Sequence, residues 1–185
     1  MKDDKDNKLL PFQFYNLYNF VTMPIQENKK IPMIPKWSSI EKTIHPNYLE
    51  ENIAIICGKC SNLIVLDIDK KDNGLKLWET LGYKDIKTPQ VKSPSGLHIY
   101  FKYTDKLPIM NRILVDGKKV GWDIRTDHSI VLCEPSIIDN KKYKFRNGFS
   151  LLDHDIKKMP NNLIKFILNH LKESTQKKMK QNTKK

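Results

Sequence analysis

Apolar residues recur at helical spacing from Phe12 to Val21 (Phe14, Tyr15, Leu17, Tyr18, Val21) and predict a helix near the start of the chain. The Lys/Pro-rich stretch Asn28 to Trp37 reads as a loop, and Asn47 to Asn52 as a short helix. Two apolar runs follow, Ile53 to Cys57 closed by Gly58, and Leu63 to Asp69. Both are short, bounded and rich in branched residues, as buried strands are. Gly74 to Gly82 carries Leu75, Trp78 and Leu81 and predicts a helix that Gly82 ends. His98 to Tyr103 reads as a strand after a Ser-Pro-Ser-Gly turn. Val120 to Arg125 and Ile130 to Cys133 read as two more, joined through Thr126 to Ser129 and stopped by Glu134, Pro135 and Ser136. Pro160 opens a helix with Leu163, Ile164, Ile167, Leu168 and Leu171 on one face. Residues 1–8 are polar and expected to be disordered. Residues 9–173 are the expected folded domain, and 174–185 a basic, disordered tail. Strands and helices mix without internal repeat, so the class is α/β or α+β.

At 185 residues, with 39% hydrophobic and 9% aromatic side chains, one domain can bury a sizeable core. Composition changes the picture mainly through charge. The formal net charge is +12, with a sequence pI near 9.5, which favours a polyanionic partner. A lysine-, asparagine- and isoleucine-rich chain also arises from AT-rich coding, so charge alone leaves both readings open. No stretch approaches the ~18 apolar residues of a membrane span. The N-terminus MKDDKDNKLLPF lacks a signal core. An intracellular, cytoplasmic location is expected, in the host cytoplasm or nucleus if the source is a virus. Three cysteines, an odd number, argue against a disulfide framework.

The sharpest candidate chemistry is Leu66-Asp67-Ile68-Asp69, where a hydrophobic strand runs into two acids spaced by two. Such side chains share a face about 6.5–7 Å apart at Cα, and their carboxylates can converge on hard divalent cations. A strand end turning into solvent explains the same residues. In Gly121-Trp122-Asp123-Ile124-Arg125 the apolar pair packs away from Asp123, which then shares a face with Arg125, one of three arginines. An acid for metal beside a cation for phosphate suits triphosphate chemistry; an exposed ion pair is the plain alternative. Between these motifs lies Lys92-Ser93-Pro94-Ser95-Gly96-Leu97-His98. Its serines and glycine can offer hydroxyls and N–H groups to phosphate, and His98 can donate to a triphosphate oxygen or be a structural histidine. Cys57-Gly58-Lys59-Cys60 lacks the second cysteine pair of a structural zinc site, because Cys133 stands alone. A tight turn is expected there, with a redox pair as the alternative and no structural zinc, and Lys59 is a candidate for nucleic-acid contact.

The order of these elements resembles the archaeo-eukaryotic primase superfamily, specifically the N-terminal domain of bifunctional DNA primase-polymerases. The resemblance rests on Asp67 and Asp69, Ser95 and His98, and Asp123. It extends through Lys30-Ile31-Pro32 to Trp37, Asn52 to Gly58, Asp123-Ile124-Arg125 with Ile130 to Ser136, and Met159-Pro160-Asn161-Asn162-Leu163, covering roughly 28–172. Asp127-His128-Ser129 stands where the family has glycines, and Glu134 where a small residue is common. The resemblance implies an α+β fold, an RRM-like antiparallel or mixed sheet with flanking helices beside an N-terminal αβ unit. It implies catalytic and metal-binding roles for Asp67, Asp69 and Asp123 around two Mg2+ or Mn2+ ions. His98, Ser95, Arg125 and Lys92 would bind an NTP or dNTP, and a single-stranded DNA template would be the partner. Family members often carry a superfamily 3 helicase, so a helicase is a candidate partner, and a virus, plasmid or other mobile element a candidate source. A metal-dependent nuclease and a non-catalytic single-stranded-DNA-binding or replication-initiator module are the rival readings.

Overall fold

A computed structural model describes residues 9–43, 52–108, 113–115 and 118–182. Along the chain lie α1 (Pro11–Asn16), β1 (Thr22–Pro24), β2 (Ile53–Ile56), β3 (Leu63–Asp69), α2 (Gly74–Thr80), β4 (Gln90–Lys92) and β5 (Gly96–Lys102). Then come β6 (Leu114–Val115), β7 (Lys118–Lys119), β8 (Trp122–Arg125), β9 (Ile130–Leu132), β10 (Ile137–Ile138), β11 (Lys141–Lys142), β12 (Lys144–Phe145), β13 (Lys157–Lys158) and α3 (Asn161–Asn182). The fold is α+β. A sheet ordered β12-β4-β5-β3-β8 is antiparallel throughout, and β13 adds to β5 in parallel. A second, antiparallel sheet is ordered β1-β2-β9.

Alternation along β3 and β5 sends side chains to two cores. Ile64, Leu66, Ile68, Ile99 and Phe101 point to one face and pack with Trp78 of α2 and Leu163, Ile167 and Leu171 of α3. Leu63, Val65 and Tyr100 point to the other and pack with Ile53, Ile55, Met23 and Leu132 of the small sheet and with Phe12 and Tyr15 of α1. Trp122 anchors β8 in the helical core, its indole N–H donating to the Gly74 carbonyl at 2.8 Å and its ring edge-on to Trp78. Truncating it to alanine costs ~3–5 kcal/mol.

Several expectations change. The helix near the start is about one turn shorter: it ends at Asn16, Asn19 turns the chain with φ +58°, and Phe20 folds back to stack on Tyr15. The helical spacing of Leu17 to Val21 is satisfied by that turn instead. The strands on either side of Thr126 to Ser129 do not pair: β8 joins β3 in the large sheet, and β9 joins β2 in the small one. His128 makes the crossing with φ +57°, the conformation the family's glycines would supply. Its ring Nδ1 lies 3.2 Å from the Ser38 carbonyl. Asp127 fastens the crossing, accepting the Lys59 N–H and the Tyr103 hydroxyl at 2.9 Å each. Glu134 has a local task as well, its carboxylate accepting the Phe145 N–H at 2.7 Å. The CxxC segment forms the tight turn between β2 and β3, with Cys57 buried and Cys60 half-buried, both free thiols. The helix expected at Asn47 to Asn52 and the polar stretch 1–8 lie outside the described residues. The backbone of α3 runs to Asn182, through part of the lysine-rich stretch read as a tail. Among the described residues no helix is long and apolar enough to cross a membrane.

Candidate active site

The first four residues of β3 are buried on both faces, whereas Asp67 and Asp69 are half-exposed and only Ile68 between them stays buried. The small sheet covers the Leu63 end of the strand and leaves the Asp69 end uncovered. Antiparallel register then sets the neighbours. Asp67 is opposite His98 on β5 and opposite Asp123 on β8, so His98, Asp67 and Asp123 form one row across three strands. Residues directly opposite one another point to the same face, with Cα atoms ~4.5–5.5 Å apart. Alternation completes the placement, because Trp122 and Ile124 are buried in the helical core while Asp123 and Arg125 face the other way.

Arg125 lies between the two opposed acids. Its Nη2 donates to Asp67 Oδ2 at 3.0 Å and to Asp123 Oδ2 at 3.1 Å, and its Nε reaches Asp67 Oδ2 at 3.3 Å. The second Asp67 oxygen lies 3.5 Å from His98 Nε2. The carboxylate of Asp69, one row further along, makes no hydrogen bond or ion pair among the described residues. Two close backbone approaches hold the residue: its N–H donates to the Gly121 carbonyl at 2.7 Å, and Gly96 is its partner across the ladder. Gly121 has φ +65°, and a side chain there would strike the Lys71 carbonyl; a side chain at Gly96 would strike the Ile68 carbonyl. Both glycines are required by the backbone around the second acid.

His98 is 6% exposed, and burial pushes its pKa below the ordinary value. Asp67 pulls it upward, while Arg125 and Lys30 add to the depression. The ring is therefore a neutral imidazole near pH 7. Its Nδ1 is buried without a hydrogen-bond partner among the described residues, and the Tyr143 ring packs 5.8 Å from its own. Ser95 sits in the β4–β5 turn beside Asp69, its carbonyl accepting the Lys70 N–H at 2.8 Å and its side chain exposed.

The sequence-predicted residues thus divide. Asp67, Asp123, His98 and Arg125 come together in contact, with Asp69 and Ser95 at the adjoining strand end. Lys92 does not join them: its register partner is Leu97, itself opposite Ile68, which places Lys92 on the face turned away from the acids. Lys59 stands in the turn at the opposite end of β3 from Asp69. Two residues escaped sequence reasoning as members of the site. Tyr143 covers His98, and its hydroxyl lies in the field of Asp67, Asp69 and Lys30, an exposed cation from the loop after β1. Neither has a local motif; long-range packing alone places them, although the basic loop carrying Lys30 was legible as a feature.

The donor set fits hard divalent cations. It consists of carboxylate oxygens on one face, two of them opposed across neighbouring strands, at an accessible strand end. As placed, no three His, Cys, Asp or Glu side chains among the described residues close into a ready ligand cluster. The Arg125 guanidinium occupies the space between Asp67 and Asp123 and would have to move for both carboxylates to hold an ion. No curated protein matches the chain. A family model described as bifunctional DNA primase/polymerase, N-terminal, matches residues 14–162.

Proposed function

The chain belongs to the bifunctional DNA primase/polymerase family, and from that premise we propose that it is a template-directed nucleotidyltransferase. In this reading it joins NTPs or dNTPs on single-stranded DNA, with Asp67, Asp69 and Asp123 holding two Mg2+ or Mn2+ ions. The observation that carries the reading is the row His98–Asp67–Asp123, in direct register across β5, β3 and β8. When bound, such ions acidify the attacking 3′-hydroxyl and neutralise charge on the triphosphate and the leaving pyrophosphate.

The chain's own groups have separable tasks. Asp67 and Asp123 present opposed oxygens, and Asp69 presents a third carboxylate one row along the same face. Arg125 shares that face, so a guanidinium released from the acids stays within reach of an incoming triphosphate and can bind two of its oxygens at once. His98 is neutral and held rigid between Asp67 and the Tyr143 ring, which suits it to position a phosphate oxygen without adding a fixed charge. Lys30 and the Ser95 hydroxyl flank the acids from the loop after β1 and from the β4–β5 turn.

The test is extension of a labelled primer on a defined template, with each nucleotide set and either metal. Triphosphate-dependent lengthening is expected, falling by about 10^3-fold or more in Asp67→Asn and Asp69→Asn while the circular dichroism spectrum stays native. Shortening of the strand would instead identify a nuclease. DNA binding with no synthesis in the wild type would identify a non-catalytic module. Synthesis surviving the double substitution would overturn the assignment of the acids.

A further inference from the structure

The three acids of the candidate site are unequally available. Arg125 donates to Asp67 Oδ2 through Nη2 and Nε at 3.0 and 3.3 Å, and to Asp123 Oδ2 through Nη2 at 3.1 Å. The other Asp67 oxygen lies 3.5 Å from His98 Nε2. The Asp69 carboxylate has no comparable contact among the described residues. Register explains the difference. Arg125 is opposite Val65, one row toward the roofed end of β3, and reaches back over the acid row; Asp69 stands one row toward the open end. One carboxylate is thus open at the mouth of the site, and a guanidinium fills the pair behind it.

That guanidinium is held by little else. Its hydrogen-bond and ion-pair partners among the described residues are Asp67 and Asp123 alone. Its side chain is 29% exposed, and β8 stands last in the order of the large sheet, so no further strand of that sheet pins it from outside. Arg146 shows what a fixed arginine looks like in the same chain: the Lys84 carbonyl, the Gln90 side-chain oxygen, Asp85 and the face of Phe149 all hold it. Arg125 needs only rotation about its own side-chain bonds to exchange carboxylate oxygens for phosphate oxygens, and a polyphosphate offers its fork the same paired acceptors.

We propose that Arg125 is an internal counter-ion that plugs the Asp67–Asp123 pair and is drawn off it by the incoming triphosphate, so that triphosphate and divalent cation each admit the other. What the site binds rests on the polymerase reading; the plug is a property of this chain's own residues. The coupling is reciprocal. Whatever engages the guanidinium raises the affinity of the pair for a cation, and whatever engages the pair frees the guanidinium for phosphate, by the same factor. With the plug in place the acids stay together without a bound cation, and the pair stays closed until substrate arrives.

The test uses the full chain well below its Tm, with two probes kept apart. Mn2+ binding without any phosphate, read as loss of the free-ion signal in electron paramagnetic resonance, should tighten by about fivefold or more in Arg125→Gln. Inorganic tripolyphosphate, titrated calorimetrically in EDTA, should bind Asp123→Asn about fivefold or more tighter than the wild type, because the guanidinium is released. The same substitution in the Arg125→Gln background should change that affinity by about twofold or less. So should Asp69→Asn, which removes equal charge from the same face and releases nothing. Arg125→Lys, a point charge without the fork, should bind Mn2+ with intermediate affinity, and it carries the test if the glutamine variant does not fold. A purely structural ion pair would shift the melting temperature and leave these differences absent. The proposal fails if Arg125→Gln and Arg125→Lys bind Mn2+ no more tightly than the wild type, or if Asp123→Asn gains as much tripolyphosphate affinity in both backgrounds. If the wild type and every variant bind neither probe, the polymerase reading falls and takes this one with it. Template-directed extension by a wild type that fails the two binding comparisons would leave the polymerase reading standing alone.

Discussion

Replacing Arg125 with glutamine should destabilise the protein and make its stability respond more strongly to divalent cations. The guanidinium donates three hydrogen bonds, at 3.0, 3.1 and 3.3 Å, to two carboxylates that face each other across β3 and β8. The three side chains are 29%, 17% and 32% exposed, so water screens them incompletely. The guanidinium's attraction for the pair offsets the ~3 kcal/mol by which two carboxylates ~5 Å apart repel at an effective dielectric of about 20, and that compensation is lost. The lost hydrogen bonds to charged acceptors are worth ~1.5–3 kcal/mol more. Against this stand the recovered hydration of the acids and the freedom of their side chains, which offset about half. A net loss of ~2–3 kcal/mol remains, or about 5–10 °C in Tm for a domain of this size. A divalent ion can occupy the same place without first displacing a cation. Millimolar Mn2+ should therefore raise the Tm of Arg125→Gln by several degrees more than it raises that of the wild type. Thermal melts followed by circular dichroism, in EDTA and in Mn2+, read both effects. Arg146→Gln, which breaks the pair with Asp85 elsewhere on the surface, is the control and should show no metal-dependent difference. Equal stability of Arg125→Gln and wild type in EDTA, or an identical Mn2+ shift, would refute the idea that this guanidinium holds the acids together.

Gly96→Ala should cost ~1–3 kcal/mol, because its methyl meets the Ile68 carbonyl; the displaced ladder should carry Asp69 with it and lower extension activity measured well below the Tm. Asp127→Ala removes the acceptor for the Lys59 N–H and the Tyr103 hydroxyl and should cost ~1–3 kcal/mol in urea titration, whereas an unchanged midpoint would show the clasp is idle. Burial pushes the Cys57 and Cys133 thiols far above the ordinary range and raises Cys60 less. Native iodoacetamide labelling at pH 8 should therefore be slow and stop at one adduct, on Cys60, with three appearing after denaturation; rapid native labelling of all three would contradict the packing.

The long strands were legible because each is an unbroken apolar run or a clean alternation. Leu63 to Asp69 falls where the pattern places it, Trp122 to Arg125 falls within the expected Val120 to Arg125, and the alternation alone set Asp123 and Arg125 on one face. Short strands such as Lys118–Lys119, Lys141–Lys142 and Lys157–Lys158 were not legible, since two lysines paired at an edge leave no periodic trace. Register was also out of reach. Nothing local in Lys92 reveals that it stands opposite Leu97 and so faces away from the acids, and nothing in Tyr143 or Lys30 announces their meeting beside His98. The Asp127-His128-Ser129 departure from the family's glycines left the backbone there undetermined by sequence. In the structure His128 adopts a glycine-like φ and Asp127 supplies a clasp.

The chain crosses between the two sheets at Gly58 and again at Thr126 to Ser129, so the small sheet is assembled from residues 22–24, 53–56 and 130–132. No single cut yields two halves that each own a complete sheet. Gene bisection, exon shuffling or limited proteolysis cannot separate the layer bearing the acids from the layer that roofs their strand. The dependence runs past Leu132 as well, since Lys144–Phe145 and Lys157–Lys158 add strands to the acid-bearing sheet and Leu163, Ile167 and Leu171 complete its helical core.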